Sequence, residues 1–170
     1  MKKQFSFYLL IALAALFAGV QSFQYTLGQD ATPAAGGGVS RVVLVGANPP
    51  EFTGETLELI KVEVLPGAVL PPHSHPGIQI ASIAAGELTY TVLVGEVQIQ
   101  RAGTDGSLAA AEVMTAGHTT VLKPGDALIE TGGMIHHAEN LGTETVVLYA
   151  SAFRDSNEPP SILAEATPAS

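Results

Sequence analysis

"PPHSHPGIQ", residues 71–79, decides how this chain is read. It sets His73 and His75 one residue apart among prolines, in a sequence with only five histidines. Along a strand alternate side chains share a face, so these imidazoles point the same way with Cα atoms about 6.6 Å apart and can converge on one ion. Gln79 has the same parity, but on a straight strand it would stand about 20 Å from His73. Pro76-Gly77 therefore has to turn the chain back if Gln79 is to join the pair. Pro71-Pro72 lack amide donors and suit a strand edge or entry.

Working outward, the sequence from Val39 onward is one of short strands and turns. "RVVLVG" (41–46), "LELIKVEVL" (57–65), "ELTYTVLV" (87–94) and "EVQIQR" (96–101) are rich in β-branched residues with partial alternation. "TTVLK" (119–123), "DALIE" (126–130), "IHHAEN" (135–140) and "ETVVLYASA" (144–152) continue the series. Pro-Gly, Gly-Gly and Pro-Pro pairs punctuate these runs where turns are needed. Many short strands between such turns predict an all-β sandwich or barrel. "SLAAAEVM" (107–114) is the one stretch with helical composition, and it is read as an excursion between strands.

A second histidine cluster, His136-His137, follows Gly132-Gly133 and precedes Asn140. With it the chain resembles the cupin family. That family's first motif is G-x5-H-x-H-x3,4-E-x6-G, and Gly67, His73, His75, position 79 and Gly86 fall on it. Its second motif is G-x5-P-x-G-x2-H-x3-N, and Gly125, Gly133, His136 and Asn140 fall on that. The resemblance spans roughly residues 57–152, including the Pro124-Gly125-Asp126 turn. It implies a small antiparallel β-barrel or jelly roll, a double-stranded β-helix, with a divalent metal ion (Fe, Mn, Ni, Cu or Zn) on His73, His75, Gln79 and His136. It gives Asn140 a structural position.

Two positions depart from the motifs: Thr131 stands for the proline, and Gln79 for the glutamate. Gln79 can ligate through its amide oxygen but brings no charge. Three neutral imidazoles and an amide leave about the full +2 of an ion, against about +1 with a carboxylate. Hard ions such as Mn then lose more affinity than Zn, Ni, Cu or Fe(II). Glu130 and Glu139 flank the second motif, and either would compensate if it faced inward. His137 points opposite to His136 on a strand, which suits packing or surface, as does His118 at a strand start. Tyr90 is read as core or rim, with a pocket-lining role as the alternative.

Composition narrows the rest. The formal charge of -9, from 7 lysines and arginines against 16 acids, disfavours nucleic acid as a partner. The absence of cysteine removes disulfides, thiolate ligands and thiolate nucleophiles. Lys2 and Lys3 before the apolar run Phe5–Val20 predict a signal peptide over 1–22, cleaved after Ser22, with an uncleaved membrane anchor as the alternative. The expected destination is secreted or extracytoplasmic. Residues 23–38 are expected to form a flexible linker, 39–154 the barrel, and 155–170 a tail lying loosely over it or trailing off. No Gly-x-Ser-x-Gly elbow and no His-Glu-x-x-His occurs, and no residue identifies a general acid or base. The partners expected are a small organic molecule, bound or turned over by dioxygenase-like or decarboxylase-like chemistry, and a second copy in a homodimer, since a lone barrel has exposed edges. A binding module without turnover and a metal-free structural barrel are the alternatives.

Overall fold

The structure, a computed structural model, describes residues 37–103, 105 and 107–164. Segments 1–22 and 23–36, where the export signal and most of the linker are expected, lie outside the described residues, as does 165–170. Among the described residues the chain forms strands and no helix. In chain order they are β1 (Val39–Ala47), β2 (Glu55–Val64), β3 (Val69–Ser74), β4 (Gly77–Ala85), β5 (Leu88–Val94) and β6 (Glu96–Gln100). There follow β7 (Glu112–Thr115), β8 (Thr119–Leu122), β9 (Ala127–Glu130), β10 (Ile135–Glu139), β11 (Val146–Asp155) and β12 (Ile162–Leu163).

These strands build two antiparallel sheets, one in the order β1-β2-β11-β4-β9-β6-β7 and the other β12-β3-β10-β5-β8. Successive strands repeatedly cross from one sheet to the other, which is the jelly-roll arrangement. Alternation explains which face each strand buries. In β5, Leu88, Tyr90 and Val92 point inward while Thr89 and Thr91 point outward. In β11, Val146, Leu148, Ala150 and Ala152 do the same. The inward faces meet in a core that includes Ile60, Val64, Val92, Val97, Ile99, Leu122 and Val146, each no more than 1% exposed. Burying one such side chain stabilises the fold by about 1.5–3 kcal/mol.

Two local features position the site. The chain leaves β3 at Ser74 and enters β4 at Gly77, so His75-Pro76 carries it from one sheet to the other. Gly77 is required there, because a Cβ would collide with the Phe153 carbonyl oxygen and crowd Arg154 Cα on β11. Asn140, fully buried, ties the end of β10 to its surroundings: its Nδ2 donates to the carbonyls of Val64 (2.8 Å) and Glu144 (2.7 Å), and its Oδ1 accepts from Gly142 N (3.0 Å).

β3 supplies the strand on which the reading of His73 and His75 relied, but neither it nor β4 is among the runs picked out by β-branched composition. Prolines 71 and 72 lower the strand propensity of the first, and alanines and Gly77 that of the second. β7 overlaps the end of the Ala-rich stretch and pairs with β6, so sheet pairing overrides the local helical preference there. Residues of the tail also pair: β12 lies against β3, with Ile162 opposite Ser74 and Leu163 opposite His73, and Ala164 N donates to Pro72 O at 2.9 Å.

Candidate metal centre

Strand register brings the histidines together. His73 on β3 lies directly opposite His136 on β10, and their ring centroids are 4.2 Å apart. Both occupy inward positions of their strands and are buried. His75, at the crossing between sheets, places its ring 5.0 Å from His73 and 5.4 Å from His136. One nitrogen from each of the three lies within 4.8 Å of the other two, a grouping able to hold a metal ion. The bend at Pro76-Gly77 brings Gln79 in as well, its Nε2 standing 3.4 Å from His75 Nε2.

The ring orientations are set from outside the cluster. His73 Nδ1 is 2.7 Å from the Pro71 carbonyl, and His75 Nδ1 is 2.8 Å from the Pro160 carbonyl in the C-terminal segment. A carbonyl only accepts, so each Nδ1 carries the proton and each Nε2 presents its lone pair, that of His75 accepting the long 3.4 Å contact from Gln79 Nε2. Burial pushes the His73 pKa down and that of His136 down to about 4, outweighing the pull of Glu130. Both rings are therefore neutral near pH 7, the state that ligates. His136 Nδ1 has no partner among protein atoms.

Glu130 is the residue that sequence reasoning left undecided. It ends β9 opposite Gln79 on β4, and it is 3% exposed. Its Oε1 accepts from Tyr90 Oη at 2.8 Å and lies 3.2 Å from His136 Nε2. Its Oε2 accepts from Gln79 Nε2 at 2.8 Å and lies 3.4 Å from His75 Nε2. Burial opposes the charge, yet His136, His75 and the Tyr90 hydroxyl together hold its carboxyl below the usual carboxylate range. Tyr90, in turn, has its hydroxyl pKa pushed up by burial and by Glu130. Glu139 turns away and sits 3.5 Å from His137 Nδ1, and His118 is an exposed residue near Thr115. The centre is thus not free of carboxylate, as Gln79 alone had suggested. The signal was parity: Glu130 shares the inward face of "DALIE" with Leu128, where a charged side chain is costly unless partnered.

A cavity of about 100 Å³ opens beside the cluster, lined by the three histidines, Gln79, Tyr90 and Glu130 and otherwise largely by aliphatic side chains such as Ile60, Leu70, Ile83 and Leu148. Arg41 also lines it, with its guanidinium on Glu58 at 3.0 Å, and Glu58 further takes Arg154 at 3.2 Å. The donor set fits a divalent ion: His73 and His75 with tautomers fixed by backbone carbonyls, a buried neutral His136, and one buried carboxylate beside two of the rings.

The family model described as Cupin matches residues 30–169. The chain belongs to the cupin family. A curated cupin-like relative, germin-like protein 5-1 of Oryza sativa subsp. japonica, is 36% identical over 126 residues, covering 70% of this chain and 48% of the relative. The chain thus spans about half the length of the curated relative it matches. Among solved structures, KdgF from Halomonas sp. is 24% identical with a TM-score of 0.43, over 73% of this cupin and 84% of that chain. A Bacillus subtilis oxalate decarboxylase, reported with Mn(II) centres, is 20% identical with a TM-score of 0.47, over 79% of this chain and 30% of that one.

Proposed function

We propose that this cupin is an exported protein that takes one divalent ion on His73, His75 and His136 and presents it to a small organic anion for oxygen insertion or decarboxylation. The observation that carries the reading is the convergence of three buried imidazoles on the wall of a mostly aliphatic cavity. When bound there, a divalent ion supplies Lewis acidity toward oxygen atoms of the substrate. The chain's own residues do the rest. The carbonyls of Pro71 and Pro160 hold two rings with their lone pairs inward. Ile60, Leu70, Ile83 and Leu148 receive the carbon skeleton and exclude water. Tyr90 and Gln79 donate to Glu130 and hold its carboxylate beside the histidines.

Size and charge support a compact anion. The cavity, about 100 Å³, is smaller than the roughly 150 Å³ apolar cavity that admits benzene. Arg41 and Arg154 share the single carboxylate of Glu58, which leaves one net positive charge in that group, with Arg41 on the cavity wall. Export is supported by Lys2 and Lys3 ahead of the apolar run Phe5–Val20. Its check is amino-terminal sequencing of the protein recovered outside the cytoplasm, which should begin at Phe23.

The reaction is tested by loading the protein with Mn(II), Fe(II), Ni(II), Cu(II) or Zn(II) and offering short organic acids while following oxygen uptake and carbon dioxide release. Turnover lost in both His73→Ala and His136→Ala supports the reading. Saturable binding without turnover across the panel makes the barrel a binding module, and neither binding nor turnover overturns the proposal.

A further inference from the structure

We infer that Glu130, rather than Gln79, supplies the fourth protein ligand and the one negative charge of the centre, with Gln79 and Tyr90 positioning its carboxylate. The inference rests on the metal-binding reading above and concerns which ions the site takes. Neighbouring ligands of one ion, at bonds of about 2.0–2.2 Å, stand about 3.0–3.5 Å apart. Glu130 reaches that spacing through a different oxygen on each side, Oε1 at 3.2 Å from His136 Nε2 and Oε2 at 3.4 Å from His75 Nε2, beside the three histidine nitrogens that already lie within 4.8 Å of one another.

The protons point the same way. His75 has committed its Nδ1 proton to Pro160, so its Nε2 lone pair faces the Glu130 oxygen across a gap that suits a cation. Gln79 turns the wrong edge to be a ligand. An ionised carboxylate only accepts, so the atom 2.8 Å from Glu130 Oε2 is the amide nitrogen, which has no lone pair to give. The register explains how the exchange keeps the geometry. Gln79 and Glu130 are directly opposed on β4 and β9, so moving the carboxylate from one to the other shifts it by about one strand spacing, 4.7–4.9 Å, at the same height in the barrel.

With Glu130 as ligand, three imidazoles and one carboxylate leave about +1 on the ion and its ligands. Mn(II), which loses most without a carboxylate, regains it.

The test compares Mn(II) and Zn(II) affinity of the full chain, of Glu130→Gln, and of the exchange variant Gln79→Glu/Glu130→Gln, with circular dichroism to follow folding. Glu130→Gln should weaken Mn(II) by at least the roughly 10- to 100-fold that loss of an orienting partner costs, and Zn(II) by less. The exchange variant should recover most of the Mn(II) affinity, which a merely structural role for Glu130 does not predict. If Glu130→Gln fails to fold, a crystal structure of the Zn(II)-loaded protein decides, with a Glu130 oxygen about 2.0–2.2 Å from the ion. Unchanged affinity ratios in a folded Glu130→Gln, or a Gln79 oxygen on the ion with Glu130 withdrawn, overturns the inference while the histidine centre stands. A wild-type protein that binds neither ion overturns the centre itself.

Discussion

Gln79 and Glu130 face each other with the amide of one donating to the carboxylate of the other, so their identities are coupled. Gln79→Glu would set a second carboxylate against the buried one, and like charges so close cannot both ionise. In metal-free protein the change should cost about 1–3 kcal/mol in urea denaturation, because a buried carboxylate loses its donor. Added Mn(II) should narrow the difference. Asn140→Ala should be destabilising by about 1–3 kcal/mol, the cost of taking this donor from the buried Val64 carbonyl, with little effect on metal affinity. At this scale the histidines were legible because their spacing and strand parity sit in the sequence itself. Glu130 was not, because its partners come from β4, β5 and β10, and only three-dimensional register unites them.

At the scale of elements, the C-terminal segment does more than lie loosely over the barrel. β12 pairs with β3, and the Pro160 carbonyl fixes the tautomer of His75. Removing residues 159–170 should leave the β-rich circular dichroism spectrum intact and weaken metal binding by roughly 10- to 100-fold, the cost of losing a partner that orients a ligand. The tail's low periodicity hid this role, since a two-residue strand leaves no pattern to read. β5, β10 and β11, by contrast, were evident from alternation, which their burial follows residue by residue. β3 and β4 carry the first motif but were masked as strands by proline, alanine and glycine. Their place is set by the sheets they join rather than by their own propensity.

For the molecule as a whole, acid stability should report on Asp126. Its residue is 4% exposed, and burial raises its pKa, but the amides of Ala102 and Lys123 and the Arg101 guanidinium hold the net value below the usual carboxylate range. A depressed carboxylate contributes stability that is present above its unfolded pKa, about 3.9, and lost as pH falls through the lower folded value. Asp126→Asn should therefore lie roughly 1.5–3 kcal/mol below wild type at pH 7, with the gap closing below about pH 4. The outer face of the larger sheet sets Val45, Leu59 and Ile80 in one row across Ser151, and Leu57 and Ile78 in the next across Phe153, all five apolar and exposed. A second copy packing there would make the dimer expected from the sequence. Light scattering should find a dimer that Ile80→Lys converts to monomer. The all-β class was legible from turns and β-branched runs, whereas the strand order that assembles the cavity depends on long-range pairing no local pattern encodes.

Metal analysis of untagged protein tests the central claim most directly. The account predicts close to one divalent ion per chain in the wild type and essentially none in His73→Ala/His136→Ala that keeps its β-rich spectrum. A folded wild-type protein that carries no metal, and takes up none of Mn(II), Fe(II), Ni(II), Cu(II) or Zn(II) when they are supplied, would contradict it.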